Sequence, residues 1–296
     1  MFQILTLVSA KGRLTASIVA DATAALNKNA CQVDDINWLS PDEALDIPFK
    51  GAPANVVEGA IRNALLTSPV DIYIGPAEDR RKHLLMADMD ATVISSETLD
   101  DLAAHIGLKD EIADITSKAM NGEIDFNSAL ELRVKILSGL PEETLSQTFK
   151  AIHLTPGAKE LIRSMRAYGA HCVLISGGFS YFTSRIAKIC GFNEHHANQL
   201  EIRNARLTGQ IIKPILDREA KCAHLKRLVF ELGLKPEDTA AIGDGANDVD
   251  MLKAAGLGVA YKGKPIAVKA ARARIDFGDL RTLLFYQGYK LEEFVS

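Results

Sequence analysis

Three apolar runs in this chain stop abruptly at acidic, hydroxyl or glycine residues, and that pattern constrains the fold more than any other feature. Residues 84–87 (LLMA) run into Asp88-Met-Asp90-Ala-Thr92. Residues 172–175 (CVLI) run into Ser176-Gly177-Gly178, and residues 240–242 (AAI) into Gly243-Asp244-Gly245, with Asn247 and Asp248 close behind. A short unbroken apolar run bounded by turn residues is the pattern of a strand buried on both faces, as in a parallel sheet. Helical periodicity separates the runs, and alternating strands and helices imply a doubly wound, mainly parallel α/β sheet. In such sheets ligands gather at the carboxyl ends of the strands, where these motifs fall.

The residue types suggest the chemistry. An acid at a strand end can bind a metal or attack an electrophile, and a second acid two positions on can move a proton. Ser176 with two glycines offers a hydroxyl and unobstructed backbone N–H groups, which suit a phosphate. Asp244 and Asp248, among glycines at the start of a helix, offer oxygen ligands suited to Mg²⁺. Lys221 lies near the start of an amphipathic stretch. Taken singly, each element has an ordinary reading: an acidic turn, a strand-to-helix turn, a solvated lysine, an acidic helix start. Together and in this order, they point to one site.

The set resembles the haloacid dehalogenase superfamily of phosphatases. Asp88-Met-Asp90-Ala-Thr92 is similar to its first motif, Ser176-Gly177-Gly178 to its second, Lys221 to its third, and Gly243 to Asp248 to its fourth. Ala91 stands where many relatives have serine, at a variable position. Within the superfamily the chain resembles the phosphoserine phosphatase family, over about residues 82–290. Glu97 follows the first motif as in that family. Thr116-Ser-Lys-Ala-Met120-Asn-Gly122, Phe126 and Arg133 answer its helical insertion.

The resemblance implies a Mg²⁺-dependent hydrolysis of O-phospho-L-serine through an aspartyl-phosphate, the last step of serine biosynthesis. Asp88 is then the nucleophile and Asp90 the acid and base. Asp88, Asp244 and the Asp90 carbonyl would hold the metal, with Asp248 behind them orienting Lys221 or a metal-bound water. Ser176, Gly177, Gly178, Lys221 and Asn247 would hold the phosphate. Glu97 would take the ammonium of phosphoserine and Arg133 its carboxylate, with Met120 and Phe126 as an apolar wall. A different phosphatase or phosphomutase of the superfamily would keep the Asp88 chemistry and change the insertion contacts. An amino-acid sensor would leave complete catalytic motifs idle.

Residues 1–80 lie outside these motifs. Strands at residues 2–8, 31–39, 44–49 and 70–74, with helices at 13–26 and 54–66, give the order βαββαβ of a ferredoxin-like sandwich. Pro48 argues for an edge strand at 44–49, and residues 75–81 read as a linker. This part looks like the amino-acid-binding ACT type, which implies an amino-acid effector or a homodimer contact. The expected division is therefore residues 1–80 and 81–296, with helices at 97–106, 109–121, 126–137 and 141–152 forming a cap inserted at about 96–155. A small hairpin is expected around Asn204-Ala205-Arg206.

Residues 1–80 hold 6 of the chain's 34 basic and 10 of its 38 acidic side chains, so the remainder is balanced. No basic block marks a nucleic-acid partner. No apolar stretch is long enough for a membrane span, and no basic region precedes the first apolar run, so a cytoplasmic protein is expected. Four cysteines without zinc spacing are expected to be reduced. Seven histidines show no metal-ligand constellation, and the His195-His196 pair is expected to be exposed.

Overall fold

The structure is a computed structural model and describes residues 2–296. The first part contains β1 (Gln3–Ser9), α1 (Ala16–Lys28), β2 (Gln32–Val33), β3 (Asn37–Ser40), β4 (Ala44–Lys50), α2 (Ala54–Ala64) and β5 (Val70–Pro76). Strand order β2-β4-β1-β5, all antiparallel, with β3 also on β4, is the ferredoxin-like arrangement. One face carries α1 and α2, whose Ala22, Leu26, Val57 and Ile61 pack on Leu5, Leu7, Ile47 and Phe49.

The expected edge strand at Pro48 is a correction, because β4 is central. The Pro48 carbonyl accepts from the Asp34 N–H on the side of β2 and β3, so the proline nitrogen faces that side too. The partner strand breaks there between Val33 and Asn37, which removes the need for the missing donor.

The second part contains β6 (Leu84–Ala87), α3 (Thr98–Ala104), α4 (Lys109–Met120), α5 (Phe126–Ile136), α6 (Glu143–Ala151), α7 (Ala158–Ala167), β7 (His171–Phe179), α8 (Ser180–Cys190), β8 (Glu194–Arg203), β9 (Arg206–Ile212) and α9 (Arg218–Glu231). It continues with β10 (Thr239–Gly243), α10 (Val249–Ala254), β11 (Leu257–Tyr261), α11 (Pro265–Ala270), β12 (Ala273–Ile275) and α12 (Thr282–Tyr286). The sheet order is β12-β11-β10-β6-β7-β8-β9, parallel except for the β8–β9 pair. Alternate residues of β6 enter opposite cores. Leu84 and Met86 pack with α9, α10 and α11, while Leu85 and Ala87 pack with α7, α8 and α12. This two-sided burial is why the strand sequences are apolar throughout.

Helices α3 to α6 form the insertion. Its stem closes where Ile94 bridges Leu154 and the Thr155 N–H reaches the Val93 carbonyl. The expected hairpin is longer than its sequence suggests, since β8 first pairs in parallel with β7 before turning to β9. His195 and His196 are half-buried rather than exposed, because they lie in that parallel stretch. The four cysteines are free, and burial pushes the Cys172 thiol up to about 12. Among the described residues, no helix is long and apolar enough to cross a membrane.

Residues 75–81 are not a loose linker. β5 runs to Pro76, and Arg80 pairs with Asp46 while also donating to Thr6 and to the carbonyls of Phe285 and Tyr286. Asp71, 2% exposed, accepts from the N–H groups of Asp276, Phe277 and Gly278 and so ties the antiparallel sheet to the chain's last quarter. Asp71→Ala orphans these donors and should cost about 2–3 kcal/mol, the scale of unsatisfied buried groups. Asp71→Asn, which keeps a carbonyl acceptor, should cost less. Urea unfolding of the whole chain compares the two.

Candidate active site

The sheet order places β6 between β10 and β7, so the three motif-bearing strand ends lie side by side. Asp88 leaves β6 with its N–H still bonded to the Ile242 carbonyl of β10, and only 2% of it is exposed. The chain then turns sharply. Ala91 takes a left-handed conformation (φ 52°) and its N–H bonds the Ser96 carbonyl. This turn brings Asp88 and Asp90 into one cavity. Left-handed alanine is strained, and it persists here because the surrounding loop fixes it.

Asp90 is gripped at both oxygens. The Thr98 N–H donates to Oδ1 (2.8 Å) and the Ser176 hydroxyl to Oδ2 (3.1 Å). Ser176 in turn accepts the Gly178 N–H at 2.8 Å. A Cβ on Gly178 would lie 2.7 Å from Asp90 Oδ2, so glycine is required for this close approach. Burial raises the Asp90 carboxyl above its ordinary range, against the hydrogen bonds from Thr98 and Ser176 that favour its ionised form.

Behind Asp88 lies Lys221, fully buried on α9, whose ammonium bonds both Asp88 Oδ1 and Asp248 Oδ1. Burial alone would lower the lysine, but Asp248 and Asp88 hold it above its usual range. Asp248 Oδ2 accepts from the N–H groups of Asp244 and Gly245, which shapes the loop after β10. Both Asp248 oxygens are thus engaged, whereas Asp244 Oδ1 is buried without a hydrogen-bond partner among the described residues. Burial pushes the Asp88 carboxyl far up and that of Asp244 to about 7, with neighbouring carboxylates adding to both.

Carboxylate oxygens of Asp88, Asp244 and Asp248 lie within 4.8 Å of one another. Facing one ammonium, these acids carry excess negative charge and an orphaned oxygen. That donor set fits a hard divalent cation such as Mg²⁺, which binds oxygen.

The insertion roofs the cavity. Glu97 and Leu99 come from the start of α3, Met120 from the end of α4, and Phe126, Leu130 and Arg133 from one face of α5. Phe126 sits so close to Gly177 that a Cβ there would lie 2.6 Å from the ring, and Met120 Sδ is as tight over Gly245. Arg133 is 2% exposed and Glu97 half-buried, yet neither forms an ion pair among the described residues. Burial lowers the Arg133 guanidinium and raises the Glu97 carboxyl far above its ordinary range, the latter with help from Asp90, Asp244, Asp100 and Asp88.

The structure brings every site residue expected from the sequence to this place. Asp88, Asp90, Glu97, Met120, Phe126, Arg133, Ser176, Gly177, Gly178 and Asn247 line the cavity, while Lys221, Asp244 and Asp248 cluster at Asp88. Sequence reasoning missed Thr98, Leu99 and Leu130, which also line it. It missed Asn198 too, which holds the Gly177 carbonyl and the Leu216 backbone. Leu130 was recoverable, since it lies four residues after Phe126 on the same helix face. Thr98 acts through its backbone N–H, which leaves no residue-type signal.

The comparisons with known proteins agree with this geometry. The family model for the haloacid dehalogenase-like hydrolases matches residues 85–253. A phosphoserine phosphatase of Streptomyces coelicolor is 36% identical over 284 residues, covering 95% of this chain and 69% of its own length. A HAD family hydrolase from Salmonella enterica serovar Typhi superposes with a TM-score of 0.84 at 27% identity, over 96% of this chain and 98% of its own. A phosphoserine phosphatase solved as a phospho-aspartyl intermediate analogue matches 70% of this chain and 99% of its own, at 36% identity and a TM-score of 0.67. The chain belongs to the haloacid dehalogenase-like hydrolases, and within them to the phosphoserine phosphatase family.

Proposed function

We propose that this protein hydrolyses O-phospho-L-serine to L-serine and phosphate through an aspartyl-phosphate on Asp88. One observation carries the choice of substrate. Two oppositely charged side chains, Glu97 and Arg133, line the same cavity without ion-pair partners among the described residues. An unpaired buried charge is costly. A ligand carrying both an ammonium and a carboxylate, with phosphate toward Asp88, would satisfy both.

In this reading an Asp88 oxygen attacks phosphorus as the bond from phosphorus to the serine oxygen breaks. Asp90, whose raised carboxyl favours the protonated form, gives its proton to that departing oxygen. Now ionised, Asp90 takes a proton from the water that attacks phosphorus and frees Asp88. Ser176, the Gly177–Gly178 backbone, Asn247 and Lys221 hold the phosphate oxygens. Asp88, Asp244 and the Asp90 carbonyl would hold Mg²⁺, with Asp248 fixing Lys221. When bound, the cation supplies charge that offsets repulsion between phosphate and the Asp88 carboxylate.

The test is a matrix of kcat/KM for two variants and three substrates. Arg133→Ala removes a charge-assisted, two-pronged grip worth on the order of 1.5–3 kcal/mol, so KM for phosphoserine should rise about 10- to 150-fold. Phosphoethanolamine, which has no carboxylate, should suffer far less. Glu97→Gln should hurt both amines and spare a phosphate ester without one. Equal losses on all three substrates would overturn the assignment.

A pH dependence follows. Below the raised Glu97 pKa its carboxyl is neutral and attracts an ammonium weakly, so KM for phosphoserine should rise as pH falls through that range. Glu97→Gln should lose this component, which a pH series of KM for both proteins measures.

We also take residues 1–80 and 81–296 as two domains, the first of the ACT type and the second a phosphatase core with its cap at about 96–155. The ferredoxin-like strand order supports that reading. It implies an amino-acid effector or a homodimer contact, which equilibrium dialysis against serine and sedimentation would check.

A further inference from the structure

We propose that Asp100 and Thr116 form a positioning relay that presents the Arg133 guanidinium to the carboxylate end of the substrate. The inference rests on the proposed role of Arg133, and it adds two residues that bear on specificity without touching substrate.

The relay joins three cap helices. Asp100 is three residues after Glu97, on the same side of α3. Thr116 is one turn before Met120 on α4, and Arg133 is seven residues after Phe126 on α5. All three side chains are at least nine-tenths buried: Asp100 is 8% exposed, Thr116 4% and Arg133 2%. The Thr116 hydroxyl donates to Asp100 Oδ1 at 2.7 Å and accepts from Arg133 Nη1 at 2.9 Å. Arg133 Nε donates to the Ala129 carbonyl of its own helix at 3.2 Å. A guanidinium has five N–H donors. Two are committed here, and the others have no protein acceptor among the described residues, on a side chain that lines the cavity.

The direction of the hydroxyl proton gives Asp100 its part. Thr116 Oγ1 also lies 3.0 Å from the Ile112 carbonyl, its alternative acceptor. If the proton pointed there, hydroxyl lone pairs would face a carboxylate oxygen at 2.7 Å. Burial raises the Asp100 carboxyl, against the Thr116 hydrogen bond and the Arg133 charge, which favour its ionised form; that form draws the hydroxyl proton to itself and leaves a lone pair for Arg133. The same hydroxyl therefore fixes one N–H of the guanidinium, and the planar fork leaves the rest pointing in set directions. Against the burial that lowers the guanidinium, Glu97 first and then Asp100 lie near enough for their charge to favour its ionised form. Asp100 does not pair with Arg133 directly within salt-bridge distance, so it does not take the place of a ligand carboxylate.

The experiment compares the phosphoserine-to-phosphoethanolamine ratio of kcat/KM across Thr116→Val, Thr116→Ser and Asp100→Ala. Thr116→Val keeps the shape and removes both hydrogen bonds. Its ratio should fall about 3- to 10-fold, the scale of one buried hydrogen bond, through KM rather than kcat. Asp100→Ala should move the ratio the same way, and Thr116→Ser, which restores the hydroxyl, should return it to within about twofold of wild type. An unchanged ratio in Thr116→Val, or a loss in Thr116→Ser equal to that in Thr116→Val, would overturn the relay. A double-mutant cycle supplies the second readout. In an Arg133→Ala background, Thr116→Val should lower kcat/KM for phosphoserine no further, while a fully additive loss would overturn the relay. Equal losses on both substrates in Arg133→Ala would instead sink the carboxylate assignment, and the cycle would then decide the relay by itself.

Discussion

Asp88→Asn should lower turnover by about 10⁴-fold or more, since removing a nucleophile that acts with its partners as a unit costs that order. The side chain keeps its shape, but an amide nitrogen replaces one carboxylate oxygen and the negative charge that drives the attack is lost. It should also lose the covalent phospho-enzyme and any labelling by a beryllofluoride-type phosphate mimic. The fold should survive, for a reason visible in the site. Burial, with Asp248, Asp244 and Asp90 close by, raises the Asp88 carboxyl, although Lys221 opposes the shift. A carboxyl with a raised folded-state pKa loses stability as pH rises from its unfolded value through its folded one. Near neutrality the ionised form is therefore a strain on the metal-free protein. An uncharged amide relieves it but takes one of two carboxylates from the buried Lys221 ammonium, so the two effects oppose and the melting temperature without metal should stay close to that of wild type. Stability traded for function is common at catalytic sites. Substantial activity in a sample whose Asp88→Asn substitution is verified by mass spectrometry would refute the nucleophile, and a collapsed melting temperature would refute the electrostatic account.

The three strand-end motifs were legible because a strand buried on both faces leaves an unbroken apolar run. An acid or glycine directly after it needs a purpose. Periodicity located the cap helices to within a residue or two, and alternation located most of the antiparallel sheet. What stayed hidden were features that depend on partners distant in sequence. The bond from Ser176 to Asp90 spans 86 positions, and nothing local to either residue announces it. Pro48 looked like an edge residue because the break in its partner strand, opposite it, does not follow from the sequence of either strand. β12 is three residues long, too short for a periodic signal. Asp71 and Arg80, which dock the antiparallel sheet, look like any surface charges until the backbone groups of residues 276–278 and 285–286 come to meet them. Glu97 and Arg133 were legible through family resemblance alone. Their lack of ion-pair partners, which carries the substrate argument, belongs to the structure.

Chelation should abolish activity and added Mg²⁺ restore it, and two neighbouring acids should respond differently. Asp244 offers a buried oxygen that nothing else among the described residues uses. Asp248 has no such oxygen: one is held by Lys221 and the other by the Asp244 and Gly245 N–H groups. Asp244→Ala therefore removes a ligand, whereas Asp248→Ala removes the support that orients one. Loss of a supporting group behind a metal ligand typically weakens binding about 10- to 100-fold. The half-saturating Mg²⁺ concentration should rise within that range in Asp248→Ala and beyond it in Asp244→Ala. The two should also fail in different ways. Asp248→Ala leaves a buried ammonium with one partner instead of two, so saturating Mg²⁺ should not restore its kcat. Activity titrated against Mg²⁺, beside direct calorimetric binding of the metal, separates affinity from turnover. Full activity in excess EDTA would remove the metal from the mechanism. A larger affinity loss in Asp248→Ala than in Asp244→Ala would exchange the roles of the two acids.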